Sequence, residues 1–152
     1  SAITTVKVNT YFDKNITSIC KSSSVTISRE LDSGKLCEDI YYIIDNDYNC
    51  YIYGNGEMKE FLIPSPFFRN DLIDTLKIYE GVTSISNLTF NHVFNLQKVI
   101  IPSTVTSIES NPFSRCEYLS TITLINNDHF TFENGSLFDK ASIPPCGIEK
   151  GL

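Results

Sequence analysis

The 152-residue sequence has no tryptophan, a single methionine, only two histidines and no long apolar run. No stretch approaches the roughly 20 apolar residues that a membrane-spanning helix needs, so no membrane span is expected. Twelve lysines and arginines are scattered singly against 18 acidic residues, for a net charge of −6. Because nucleic-acid phosphates require clustered basic side chains, this balance argues against a nucleic-acid partner. The 41% of hydrophobic residues are still sufficient for one packed domain.

The sequence also lacks the usual arrangements of catalytic and metal-binding residues. A serine or cysteine nucleophile needs a positioned base, and only His92 and His129 could serve. Neither a GxSxG nor an HExxH segment occurs. No two of the five cysteines are close neighbours, so their spacing fits no zinc site. We therefore predict a protein that is not an enzyme, without a cofactor or a metal.

The most informative feature that is present is a repeat with a period of 23 residues. The segment Val82-Thr83-Ser84-Ile85 recurs as Val105-Thr106-Ser107-Ile108. Apolar positions around it recur at the same interval and pair Phe90 with Phe113, Leu96 with Leu119 and Val99 with Ile122. Apolar residues with such a period are buried between neighbouring units, which is typical of a solenoid. A solenoid offers a broad surface more often than a catalytic cleft.

Each repeat is predicted to open with a short strand of alternating apolar residues. Stacked repeats would align these strands in a parallel ribbon, with the residues between the apolar ones pointing outward. A brief helix-like or irregular stretch follows each strand and turn, which makes the expected fold a β-rich α/β solenoid. The outward residues are the predicted contact surface: Lys77, Tyr79, Lys98, Ile100, Thr121 and Thr123.

Residues 40–53 read as a β-hairpin before the repeats. Two β-rich runs flank Asp45-Asn46-Asp47, which has the composition of a turn. The same triplet matches the first ligand positions of a calcium loop. Cys50 and Gly56 stand where that loop needs a glycine and a bidentate glutamate, so a hairpin turn is the better interpretation.

A second hairpin is predicted where the third repeat loses its pattern. Asn134-Gly135 is a strong turn signal between the apolar runs at 130–132 and 137–138. The chain is thus divided into a leading segment or cap at 1–39, the hairpin with about three repeats at 40–140, and a tail or partial repeat at 141–152.

Five of the eight tyrosines fall in the first hairpin: Tyr41, Tyr42, Tyr48, Tyr51 and Tyr53. Two interpretations remain open for them. Buried tyrosines would cap the first repeat, whereas exposed ones would provide contact area together with a hydroxyl group.

The cysteines and sequons bear on the compartment. Cys116 aligns with Val93 of the preceding repeat, so it is expected to be a small buried packing residue. The other four cysteines allow three pairings, and Cys20 with Cys37 is the first choice because they close a short loop. A disulfide would favour an oxidising, extracytoplasmic compartment.

N-glycosylation sequons occur at three asparagines: Asn15, Asn87 and Asn134. Chance alone predicts about as many in a chain of this composition, so they permit secretion without arguing for it. The start at Ser1 is compatible with a removed signal peptide and equally with a shortened chain.

The repeat resembles the BspA-like leucine-rich repeat, whose pattern reads approximately IPxSVTxIGxxAFxxCxxLxxIxI. The match begins at Ile101-Pro102 and continues through the apolar positions Phe113, Cys116, Leu119, Ile122 and Leu124. The segment from Gly54 to Met58 is similar to the GxGxM run that often precedes the first repeat. The segment from Asn134 to Lys140 is similar to the NGxLYDK variant of interrupted repeats.

This resemblance implies a short leucine-rich-repeat array with a parallel strand ribbon, preceded by a β-hairpin cap. Such proteins are typically displayed or secreted by bacteria and mucosal protists and are associated with adhesion. The expected function is therefore a non-catalytic extracellular or cell-surface module that binds a protein or glycan ligand on a cell surface or matrix. The alternative is a structural domain that self-associates through the open ends of its solenoid.

Overall fold

The computed structural model describes residues 29–61, 64–141 and 147–149. Within these residues the chain forms eleven strands and no helix. The strands are β1 (Glu30–Cys37), β2 (Ile40–Asp45), β3 (Asn49–Gly54), β4 (Thr75–Ile78), β5 (Ser84–Ile85), β6 (Lys98–Ile101), β7 (Ser107–Ile108), β8 (Thr121–Leu124), β9 (Phe130–Glu133), β10 (Ser136–Asp139) and β11 (Gly147–Glu149).

The main sheet has six strands in the order β1-β2-β3-β4-β6-β8. The first three strands pair antiparallel, whereas β3, β4, β6 and β8 pair parallel, as predicted for the repeats. In each repeat strand the apolar residues alternate and face the interior, where Leu76, Val99 and Ile122 lie in register. Since β3 belongs to both parts, the predicted hairpin provides the first strand of the solenoid.

The segments opposite the main sheet are turns, so the α component of the predicted α/β solenoid is wrong. Left-handed backbone recurs there at equivalent positions, with φ near 58° at Leu88 and 54° at Asn111, and 59° at His92 and 63° at Arg115. A left-handed residue interrupts the right-handed backbone of a helix. Two such residues only four positions apart therefore leave room for turns but not for a helix.

A column of aromatic rings runs through the core behind the main sheet. The ring centroids of Phe67 and Phe90 lie 5.2 Å apart, and those of Phe90 and Phe113 lie 5.6 Å apart. All three side chains are fully buried. Phe67 precedes Phe90 by the same 23 residues that separate the two repeats. The array therefore begins one turn earlier than the repeat assignment from the sequence.

The turn between β2 and β3 is built around a buried carboxylate, which confirms the hairpin interpretation. Asp45 is 1% exposed. It accepts hydrogen bonds from the amides of Asp47 and Asn49, both at 3.0 Å, and from the Tyr51 hydroxyl at 2.9 Å. These donors satisfy the carboxylate within the hairpin itself.

The predicted second hairpin is also confirmed. β9 and β10 pair antiparallel on either side of Asn134 and Gly135, whose φ angles are 51° and 78°. Positive φ at both central residues is the type I′ geometry that an Asn-Gly pair favours. β11 adds a third strand, so part of the predicted tail joins this small sheet. The boundaries at 39/40 and 140/141 stay a prediction.

Asn127 closes the polar interior at the end of the repeats. Its amide nitrogen donates to the carbonyls of Pro102 and Val105, each at 2.8 Å. Its amide oxygen accepts from the backbone amides of His129 and Phe130, at 2.9 and 3.2 Å. One turn earlier the Thr104 hydroxyl makes the matching bond to the Val82 carbonyl. Asn127 therefore ties the last repeat to the closing hairpin.

Replacing Asn127 with alanine is expected to lower the free energy of unfolding by about 2–4 kcal/mol, because four buried backbone groups lose their partner. Asn46→Ala is the control. Asn46 is exposed in the first hairpin turn, so its loss should stay within about 0.5 kcal/mol. Urea unfolding measures both. Equal unfolding midpoints for the two variants would show that Asn127 does not close the array.

Candidate functional site: the outward strand face

The repeat strands bring the predicted contact residues onto one face, which we call the strand face. It consists of two rows of residues that lie in register across β3, β4, β6 and β8. One row contains Asn49, Thr75, Lys98 and Thr121, and the other contains Tyr51, Lys77, Ile100 and Thr123. With neighbouring strands about 4.8 Å apart, each row is roughly 14 Å long.

The exposure of this face increases from β3 toward β8. Tyr51 is 2% exposed, Lys77 and Ile100 are partly buried, and Thr123 is exposed. The other row changes in the same direction, from a partly buried Asn49 to an exposed Thr121. The half of the face formed by β6 and β8 is therefore the part that a partner molecule can reach most easily.

At the β3 end, two of the predicted contact residues pack against the hairpin. The Lys77 ammonium lies 5.3 Å from the centroid of the Tyr51 ring, within the range of a cation–π interaction. The rings of Tyr51 and Tyr79 stack with centroids 6.2 Å apart and planes 5° from parallel. Lys77 and Tyr79 thus contribute to the packing of the first turn in addition to facing outward.

Tyr51 is held as a neutral hydrogen-bond donor. Burial, followed by the negative charge of Asp45, raises the pKa of the Tyr51 phenol above its ordinary value. The protonated hydroxyl can therefore donate to the Asp45 carboxylate across the pH range of cells. The predicted contact surface omitted Tyr51. Its register partner Lys77 follows it by 26 residues, and a period of 23 does not reveal that pairing.

The structure divides the tyrosine cluster between the two interpretations. Tyr42 faces the interior, with its ring edge-on to Phe67 at 5.0 Å, and Tyr41 and Tyr53 stack at 5.7 Å. Tyr48 is 47% exposed at the hairpin turn. Most of the cluster therefore stabilises the first turn, as the capping interpretation predicts, and Tyr48 is placed for contact.

The described thiols are poorly suited to nucleophilic chemistry. Cys116 is buried, as predicted, and burial raises the pKa of its thiol to about 12. Burial also raises the pKa of the Cys50 thiol. Within the part of the chain that the structure describes there is no disulfide, and Cys37 is a free thiol. Cys20 lies outside that part, so the Cys20–Cys37 pairing stays a prediction.

The glycosylation candidates differ in their surroundings. Asn134 is exposed at the tip of the second hairpin. At Asn87 the side-chain oxygen is buried, and the Thr89 hydroxyl of the same sequon is bonded to Ser86. Asn15 lies outside the described residues. Glycosylation stays a prediction, and Asn134 is the more accessible acceptor of the two that the structure describes.

Replacing Lys77 with alanine is expected to lower the free energy of unfolding by about 0.5–1 kcal/mol, through loss of the cation–π contact with Tyr51. Lys98→Ala is a matched control, since Lys98 is an exposed lysine on the neighbouring strand of the same face. Its change should be below about 0.5 kcal/mol. Chemical unfolding at neutral pH gives both values, and a larger loss at Lys98 would contradict this assignment.

Comparisons with known proteins agree with the repeat geometry. A search of curated proteins finds no significant match. Among solved structures, the chain is similar to a leucine-rich repeat protein from Eubacterium ventriosum, with 18% identity and a TM-score of 0.41, over 72% of this chain and 48% of that one. It is also similar to a leucine-rich cell surface protein from Faecalibacterium prausnitzii, with 14% identity and a TM-score of 0.33, over 74% and 59% of the two chains.

The chain thus spans about half to three fifths of the length of these two proteins. Within the described ranges no helix is long and apolar enough to cross a membrane. The family comparison is more extensive. Residues 62–149, more than half of the sequence, match the family described as BspA type leucine rich repeat region, in six copies. The chain therefore belongs to the BspA type leucine-rich repeat family.

Proposed function

We propose that this chain is a non-catalytic binding module, placed outside the cell or on its surface, that uses the strand face to hold a macromolecular ligand. The observation that carries the proposal is the exposed half of that face. There β6 and β8 present Lys98, Thr121 and Thr123 around the partly buried Ile100. This set combines one positive charge, two hydroxyl groups and an apolar centre on a rigid sheet.

The strand face is suited to binding because its side chains are already ordered. Paired strands on both sides hold β6 in place, so a ligand need not order the backbone when it binds. The threonine hydroxyls can donate and accept hydrogen bonds, and Lys98 attracts acidic groups. A protein or a glycan that carries carboxylates fits this chemistry best.

Adhesion to host or neighbouring-cell macromolecules is the specific form of binding that we propose. It is supported by membership of a family whose proteins are typically displayed or secreted. An extracellular or cell-surface location follows from the same membership. The exposed sequon at Asn134 is compatible with it.

The test is a triple substitution in the exposed half of the face, Lys98→Ala with Thr121→Ala and Thr123→Ala. Lys140→Ala with Thr106→Ala and Ser110→Ala is the control, since it removes the same kinds of exposed groups elsewhere on the surface. Both proteins are assayed against immobilised fibronectin, laminin, collagen and mucin. We expect the strand-face triple to weaken binding at least about tenfold, which corresponds to about 1.4 kcal/mol, and the control to bind normally.

Both triples should keep the unfolding midpoint of the parent protein, because the substituted side chains are exposed. Normal binding by a folded strand-face triple would show that the strand face is the wrong surface. Absence of binding to all four materials by the parent protein would count against adhesion.

Self-association is the second candidate, and the outer edge of β8 favours it. Among the described strands, β8 is the last of the main sheet and pairs on one side only. An unpaired edge presents backbone groups to another strand. Tyr118 and Ile125 flank it and are 65% and 47% exposed. A mass that rises with concentration in light scattering, and that Ile125→Asp abolishes but Leu72→Asp does not, would support assembly over adhesion.

A further inference from the structure

A groove lies on the side of the solenoid opposite the strand face, and we call it the convex groove. Its volume is about 320 Å³. It is bordered by the segment after β3 and the turn after β5. Its lining includes the apolar side chains of Phe61, Phe68 and Leu88 and the polar ones of Glu60, Asn87 and Asn91.

Leu88 is an unusual residue for its position in the repeat. Its backbone is left-handed with φ of 58°, and its side chain is 46% exposed. Asn111 takes the equivalent place one repeat later, with φ of 54°. Asparagine tolerates this backbone because its side chain can bond locally, whereas leucine gains nothing from it. Neither backbone geometry nor burial explains the leucine, so contact with another molecule is the better explanation.

Aromatic side chains extend the apolar surface beyond the groove. Phe68 meets the ring of His92 edge-on at 5.3 Å, and His92 meets Phe94 in the same way at 5.7 Å. Phe94 is 39% exposed. Exposed apolar residues that adjoin one another, with polar groups at the border, are typical of protein interaction sites.

The polar groups of the groove favour a cationic occupant. Glu60 is the charged residue in its lining, and Glu109 lies close by, where its carboxylate accepts the Asn87 amide at 2.7 Å. The side-chain oxygen of Asn87 is buried without a hydrogen-bond partner. Lys59, next to Glu60, is paired with Glu38 at 3.1 Å.

Arg69 is the cation nearest to this surface in the aromatic cluster, and it illustrates the proposed contact. Its guanidinium carbon lies 5.3 Å from the centroid of the Phe68 ring. The chain's own arginine therefore already uses the aromatic surface at the groove's border. The carboxylates of Glu60 and Glu109 outnumber this one charge.

We propose that the convex groove holds an arginine side chain of a partner polypeptide. The aliphatic stem would pack on Phe61, Phe68 and Leu88, and the guanidinium would face Glu60 and the unpaired oxygen of Asn87. Arginine suits the site because its planar head stacks on aromatic rings and donates several hydrogen bonds in fixed directions. This contact is independent of the strand face and adds a second surface to the module.

The test uses N-acetyl-arginine methylamide as the probe and N-acetyl-citrulline methylamide as its neutral counterpart of the same shape. Each is titrated into the ¹⁵N-labelled protein while amide resonances are recorded. We expect the arginine compound to shift the amides of Phe61, Phe68 and Leu88 and to bind at least about fivefold more tightly than the citrulline compound. Equal shifts with both compounds, or shifts confined to the strand face, would overturn the proposal.

Two substitutions separate binding from folding. Leu88→Asn introduces the residue found one repeat later, so it should keep or raise the unfolding midpoint while binding weakens at least about fivefold. Glu60→Gln should weaken binding about two- to fivefold, in line with a partly exposed ion pair. Leu72→Asn is the matched control, since Leu72 is 45% exposed outside the groove lining, and it should leave binding unchanged.

A lower unfolding midpoint for Leu88→Asn would show that Leu88 has a structural role, and unchanged binding by that variant would exclude the groove. The strand-face triple substitution should leave the arginine titration unaltered. Failure of the groove proposal and failure of the adhesion proposal are therefore distinguished in separate proteins.

Discussion

The burial of each turn against its neighbours is the constraint on which the rest of this structure depends. No repeat has enough apolar residues to enclose its own inner face, so Phe90 is buried only because Phe67 and Phe113 stack on either side of it. The strands obey the same rule, since β4 and β6 each have a parallel neighbour on both sides. A short array of this kind needs a separate solution at each end.

The two ends are closed by different means. At the beginning, the β2–β3 hairpin provides a strand for β4 and is held by Asp45, which gathers the donors of its own turn. At the far end, Asn127 takes over the bonds that a following repeat would make, and the β9–β10 hairpin continues from it. The first end covers part of the strand face, whereas the second leaves β8 exposed. The location of the candidate binding surface thus follows from how the array is closed.

Much of this fold could be predicted from the sequence, because local patterns determined it. Alternation at 98–101 and 121–124 specified which residues face outward, and the Asn134-Gly135 pair specified a type I′ turn. The first turn could not be assigned in the same way. The three extra residues between Cys50 and Leu76 hide the pairing of β3 with β4, although Phe67 keeps the period of the repeat.

Other features depend on contacts that a sequence pattern does not encode. Leu88 and His92 gave no indication of left-handed backbone, which glycine or asparagine would have given, so a helix-like stretch was expected where turns occur. The packing of Lys77 on Tyr51 requires the register of β3 and β4, and the convex groove brings Phe61 beside Leu88 from separate turns. These parts of the candidate surfaces became visible only in three dimensions.

Native-state hydrogen exchange, resolved by residue, tests most directly whether each turn is stabilised by its neighbours. The account predicts that the amides of Leu76 in β4 and Val99 in β6 are the most protected of the repeat strands, and that protection falls at Ile122 in β8, which has a neighbour on one side. Protection at Ile122 equal to or greater than that at Leu76 would contradict it.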